Sequence, residues 1–252
     1  MSRIFRSNNL WRTIKGYLNA DRALRYLPIA HAIKSVSMNE NWKSSVTDPK
    51  ILEIGSGVMG ITPFIPFKIV GADIYFDGQI SEKLYPICVK ESQLPFRDKS
   101  FDCVISVDML EHISQAKRYE AISEMLRVSR KWVFLAVPCD NAAQRQDRQF
   151  DQLFQKLTGT RNYFLKQHVE YDLPTKKEID DYIYRASEAK NLKLSIRMQK
   201  NVNIRIRSLF MRIWVRPHLI FIYPLVSLML FPLRRMLNYG ECYRQIVEIV
   251  IQ

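Results

Sequence analysis

From residue 50 onward the chain repeats one pattern, a short apolar run bounded by turn residues or charges and followed by a more polar stretch. The runs are 51–54, 69–73, 86–89, 101–107 and 132–137. Each is too short for a buried helix and reads as a buried strand. Between the fourth and fifth, Ala121, Ile122, Met125, Leu126 and Val128 fall on one stripe of an amphipathic helix over 116–129. Strands alternating with helices predict an α/β fold, a doubly wound parallel sheet covered on both faces. In such sheets ligands bind beyond the carboxyl ends of the strands, where the strand order reverses. Two later runs that alternate apolar and polar residues, 192–202 and 243–251, predict an antiparallel pair closing one edge. Ahead of the sheet, 8–35 predicts one or two helices broken near Pro28. The polar stretch 139–192 predicts an insertion, with a helix starting at Thr175, where Thr175 and Glu178 form a capping box.

Composition removes several classes. With 47% hydrophobic and 25% charged residues, the 252-residue chain is neither disordered nor collagen-like. Its four cysteines form no C-x-x-C pair and have no histidine cluster beside them, so no metal site and a reducing compartment are expected. The N-terminus has no unbroken apolar segment with a small-residue cleavage site, so no secretory signal is expected. The unusual number is a net charge of +13, and it is unevenly spread. Residues 1–35 carry +6 and residues 193–240 carry +9, while the centre is close to neutral. Two basic arms outside a neutral core point to a polyanionic partner, either nucleic acid or a lipid face.

The chemistry sits in Lys50-Ile-Leu-Glu-Ile-Gly-Ser-Gly-Val-Met-Gly60, a strand running into a glycine-rich turn. Gly55, Gly57 and Gly60 fit G-x-G-x-x-G, and Asp73 follows Gly55 by eighteen residues at the end of the next strand. Glycines admit a nucleotide-like ligand close to the backbone, and Asp73 can accept hydrogen bonds from ribose hydroxyls. A dinucleotide or an adenosyl ligand would satisfy this pattern. A dinucleotide needs a helix N-terminus for its pyrophosphate, but Pro63 and Pro66 leave little room for that helix. Glu53, two residues before the first glycine, suits an ammonium or sulfonium and repels phosphate.

Residues 94–113, LPFRDKSFDCVISVDMLEHI, together with E-x-G-x-G and the strand-end Asp73, resemble class I S-adenosylmethionine-dependent methyltransferases. The resemblance covers roughly 50–138. It departs at the third glycine, which falls at 60 where the family more often has it at 59, and at Lys90, where an acid is usual unless Glu91 replaces it. The resemblance implies a Rossmann-like sheet of five parallel strands plus the closing pair, and S-adenosyl-L-methionine as cofactor. Glu53, Gly55, Ser56 and Gly57 would line its methionine part, Asp73 would hold the ribose, and Gln93 and Leu94 would flank adenine. Asp108 to His112 would face the sulfonium and the acceptor. His112 and Asp108 are the candidates for a general base, with His168 a third. The structural alternatives are a helix cap for Asp108, a packed helix residue for His112 and an exposed loop residue for His168.

This gives four segments: an N-terminal helical lid (1–49), the cofactor-binding core (50–138), an acceptor-side insertion (139–192), and closing strands (193–252) with a basic apolar insertion at 204–240. Within the last, 219–233 is a fifteen-residue run without charge, broken by Pro224 and Pro232. It is shorter than the ~20 residues of a spanning helix. Arg205, Arg207, Arg212 and Arg216 precede it and Arg234 and Arg235 follow. That arrangement suits an element lying on an anionic membrane surface, with Trp11, Tyr17, Leu18 and Leu24 as a second contact. The expected acceptor is a small molecule, lipid or lipid-linked sugar hydroxyl, met at the cytoplasmic face of a membrane. The rivals are an RNA-modifying methyltransferase, a nicotinamide oxidoreductase and a non-catalytic scaffold.

Overall fold

The computed structural model describes residues 20–39, 49–89, 93–216, 222, 225–226 and 234–252. Seven strands form one sheet in the order β3-β2-β1-β4-β5-β7-β6. The first five are β1 (Ile51–Ile54), β2 (Ile69–Asp73), β3 (Leu84–Cys88), β4 (Phe101–Val107) and β5 (Ser129–Pro138). All neighbouring pairs among them are parallel. The closing pair is β6 (Leu194–Asn203) and β7 (Cys242–Ile251), antiparallel to one another as expected. β7 inserts between β5 and β6 and runs antiparallel to both. β6 therefore points the same way as the first five strands, and β7 alone is reversed.

Neighbouring residues of each strand supply opposite faces. Leu52 and Val104 join one apolar cluster, whereas Ile51, Cys103 and Ile105 join the other. On the first face, α2 (Gln115–Val128) buries the predicted stripe Ala121, Ile122, Met125, Leu126 and Val128. α5 (Lys176–Ala189) packs beside it through Ile179, Ile183 and Ala186, and begins at Thr175 with the capping box in place. The stretch 139–192 is thus more than an insertion, since its last helix covers the sheet. Its first two helices are α3 (Asp140–Thr158) and α4 (Tyr163–Tyr171).

The other face is covered from an unexpected source. The turn after β1 contains no regular helix, in agreement with its two prolines, and contributes Ile61, Ile65 and Phe67. α1 (Ala20–Asn39) lies over them with Tyr26, Ile29, Ala30 and Ile33. Pro28 does not break α1, which runs through it unbroken. A proline removes one helical N–H and frees the carbonyl four residues earlier. That carbonyl belongs to Leu24, and it accepts a 3.0 Å hydrogen bond from the Asn201 side-chain amide on β6. Asn201 is almost wholly buried. The tertiary donor replaces the lost helical one, so the helix continues.

Candidate active site

Strand order reverses between β1 and β4, and the loops leaving these two strands meet there. Gly55, Gly57 and Gly60 all have positive φ, so the turn needs residues without a Cβ. At Gly60 the need is doubled: a Cβ would lie 2.0 Å from the Glu53 carboxylate. Glu53 is fully buried and accepts the Ile61 N–H at 2.7 Å, and Tyr26 of α1 favours its charged form. Burial pushes its carboxyl up to about 7 despite both. Glu53 braces the turn from inside. Its other oxygen has no hydrogen-bond partner.

Asp73 ends β2 half-buried and accepts from Gly57 N at 2.7 Å and Ile74 N at 2.8 Å. Those bonds leave carboxylate lone pairs for a ligand. A Cβ on Gly57 would meet nothing within 4 Å, so the turn presents open space. Ser56 is buried and donates to the Gly57 carbonyl at 3.0 Å. Beyond β3, Gln93 is exposed, while Leu94 is buried with its N–H on Glu124 and its carbonyl on Arg127. Lys90 and Glu91 lie outside the described residues.

Asp108 follows β4 with φ of +51°. Arg244 of β7 grips its carboxylate with two bonds, 2.5 and 2.6 Å, and Arg25 of α1 adds a third at 2.9 Å. Burial alone would raise this carboxyl, but Arg244 and Arg25 outweigh it and hold it down at about 2. Asp108 is therefore a fixed anion, poorly suited to accept a proton, and it caps no helix. The turn Leu110–His112 comes next, and Arg118 ties it to the end of α4 through the carbonyls of Leu110, Tyr171 and Asp172.

His112 is nearly buried, and burial drives its imidazole down to about 4. Its Nδ1 lies 2.9 Å from Gln167 Oε1. His168 is not an exposed loop residue: it sits buried on α4, its ring centroid 4.8 Å from that of His112. Its Nδ1 lies 2.7 Å from Asp147 on α3. Asp147 also accepts from Tyr243 OH at 2.8 Å and pairs with Arg207 at 2.9 Å. Burial opposes the Asp147 anion, but Arg207 and His168 keep its carboxyl low. Arg207 itself is buried, 3.3 Å above the Tyr243 ring, and so does not take the surface position expected for it. Glu111 completes the group, fully buried beside the two histidines. Asp147 and Arg244 were not singled out from sequence, Arg207 was read there as a surface arginine, and Glu111 entered only as part of the stretch from Asp108 to His112. Only the D-x-x-E-H spacing brings Glu111 into view, and no local pattern points to the others.

The site thus combines a glycine turn, a strand-end carboxylate and an open cradle at the switch point, and residues 52–137 match the methyltransferase domain family. That stretch is a methyltransferase domain of the S-adenosylmethionine-dependent type. Its cofactor is S-adenosylmethionine, and the open cradle over Gly57 with the Asp73 carboxylate beside it fits that molecule. No curated protein matches this methyltransferase in sequence. Among solved structures it is similar to a magnesium protoporphyrin IX methyltransferase from Synechocystis PCC 6803, with 15% identity, 90% of this chain and 85% of that one covered, and a TM-score of 0.47. It is also similar to a possible histamine N-methyltransferase from Thermotoga maritima, at 15% identity, 97% and 99% coverage and a TM-score of 0.48. A phosphoethanolamine N-methyltransferase from Haemonchus contortus gives 12%, with 87% of this chain and 52% of that one covered, and a TM-score of 0.47.

Proposed function

We propose that this methyltransferase acts on a hydroxyl of a small lipid or lipid-linked sugar taken from an anionic membrane surface. The observation that supports it most is α6 (Ile204–Trp214), which exposes Arg205, Leu209 and Arg212 while sending Arg207 inward to Asp147. Basic and apolar side chains on one exposed face suit the boundary of anionic lipid and water. The same helix thereby joins that face to the His168 cluster. No described helix is long and apolar enough to cross a membrane, and most of the 219–233 run lies outside the described residues.

When bound, S-adenosylmethionine supplies a methyl group on a sulfonium, whose leaving group is a neutral thioether. Gly55 and Gly57 admit its methionine part, Asp73 takes the ribose hydroxyls, and Gln93 and Leu94 border the adenine. Asp108, its charge taken up by Arg244 and Arg25, fixes those two arginines at the end of β4. Alignment then carries most of the rate acceleration, and the acceptor hydroxyl meets the unprotonated His112 and its neighbour His168.

The test uses the full chain with vesicles and radiolabelled S-adenosylmethionine. Flotation with phosphatidylglycerol vesicles, weakening with salt, is expected, as is label in the organic extract of membranes. Arg205→Glu with Arg212→Glu should abolish flotation and leave cofactor binding intact. Label appearing in RNA, or flotation that ignores both substitutions, overturns the reading.

A further inference from the structure

Four acidic side chains are buried among the described residues: Glu53, Glu111, Asp147 and Asp151. Three of them have a donor. Glu53 takes the Ile61 N–H, Asp147 takes Tyr243 and His168 and ion-pairs with Arg207, and Asp151 takes Arg161. Glu111 differs, because neither of its carboxylate oxygens has a hydrogen-bond partner. Buried carboxylates left unpaired are costly, and proteins pair them or place a cation on them. The nearby Arg118 does not serve, since its donors go to backbone carbonyls.

A second group beside Glu111 is also short of a partner. His168 Nε2 is buried and unbonded. One ligand atom from each of Glu111, His112 and His168 lies within 4.8 Å of the others. Both imidazoles are already oriented from behind. Asp147 holds His168 at Nδ1, and Gln167 accepts at Nδ1 of His112. With the Nδ1 protons committed in this way, the lone pair of each ring is on Nε2. Metal-binding histidines are prepared like this, with a carboxylate or carbonyl on the far nitrogen fixing tautomer and direction.

We infer that Glu111, His112 and His168 form a binding site for one first-row divalent transition-metal cation, such as Mn2+, Co2+ or Zn2+. Two imidazoles and one carboxylate favour this class over Mg2+ or Ca2+, which prefer all-oxygen shells. Three protein ligands leave positions open. On the reading that the acceptor is a hydroxyl, that oxygen fills one of them, where the cation makes it easier to deprotonate. The proton leaves to solvent, the oxygen bonds to the methyl carbon, and the carbon–sulfur electron pair stays on sulfur. Nothing in the cation's recognition depends on the acceptor. The sequence hides the site because His168 follows His112 by 56 residues and reaches it only through α4.

The test needs neither cofactor nor acceptor. Chelator-treated full-length protein is titrated with Co2+ followed by absorption, and with Mn2+ followed by paramagnetic resonance. One cation per chain is expected, without a thiolate charge-transfer band, and with a rise in melting temperature. Glu111→Gln and His168→Ala should each weaken binding at least tenfold and remove that rise. The isosteric glutamine keeps the metal-free fold, so its melting curve in chelator checks that lost binding is not lost structure. Absence of Co2+ and Mn2+ binding at millimolar concentration, a thiolate band, or affinity unchanged in Glu111→Gln overturns the inference. Methyl transfer that proceeds in chelator would leave the proposed function standing while removing the cation from it.

Discussion

Gly60 and Glu53 show how tightly a single residue can be determined. Alanine at 60 would need a left-handed backbone and would press its methyl group into the Glu53 carboxylate. Gly60→Ala should therefore lower stability by about 2 kcal/mol or more, read by thermal unfolding, with cofactor affinity falling in calorimetry. Glu53 has its own pH signature. In the unfolded chain it ionises near 4.5, in the folded protein near 7, so its contribution to stability is full below 4.5 and lost as pH rises through 7. Glu53→Gln should be more stable than the parent by about 3 kcal/mol above pH 7, the gap closing towards pH 4.5. A cation bound nearby favours the ionised form. S-adenosylmethionine should thus release protons on binding just below pH 7, seen as buffer-dependent heats. Buffer-independent heats would mean that Glu53 serves the turn alone. For Asp73→Ala the expected loss in cofactor affinity is about 1.5–3 kcal/mol. These residues were legible in sequence because the glycine spacing and the strand-end acids are local. What Glu53 touches was not, since the brace to Ile61 appears only once the turn has folded back.

At the scale of elements, α1 is held to the site by charge as well as by apolar packing. Asp108→Asn would leave the buried Arg244 guanidinium without its anion, at a cost of roughly 3–5 kcal/mol. Arg25→Met keeps the Arg244–Asp108 pair and should only loosen the helix. Hydrogen exchange over 20–39 should accelerate in both variants, but melting temperature should drop markedly only in Asp108→Asn. Short strands with flanking turns were readable from periodicity, and so were α2 and the Thr175 capping box. The continuity of α1 was not. The rule that proline ends a helix holds for a chain with only itself for hydrogen-bond partners, and Asn201 breaks that premise. His168 misled for a related reason: its surroundings are polar in sequence, yet α4 turns that one side chain inward against Asp147.

For the whole molecule, the alternation of strands and helices was enough to foretell a doubly wound sheet, while the insertion of β7 between β5 and β6 was not. Both are alternating strands, and pairing order depends on which edge the returning chain reaches. That order sets Arg244 beside β5, within reach of Asp108. It also leaves β6, with Asn201, to meet α1. Pro28 and Asn201 consequently behave as one inherited character. Once proline occupies 28, asparagine at 201 is no longer free to drift, and if alanine restored the helical N–H, 201 would be partly released. Pro28→Ala and Asn201→Leu combined should cost less than the two losses added, by about 1 kcal/mol. Two positions far apart in the sequence would then covary in any stability selection, an epistatic bond that makes the order of substitutions matter to how this lineage can change.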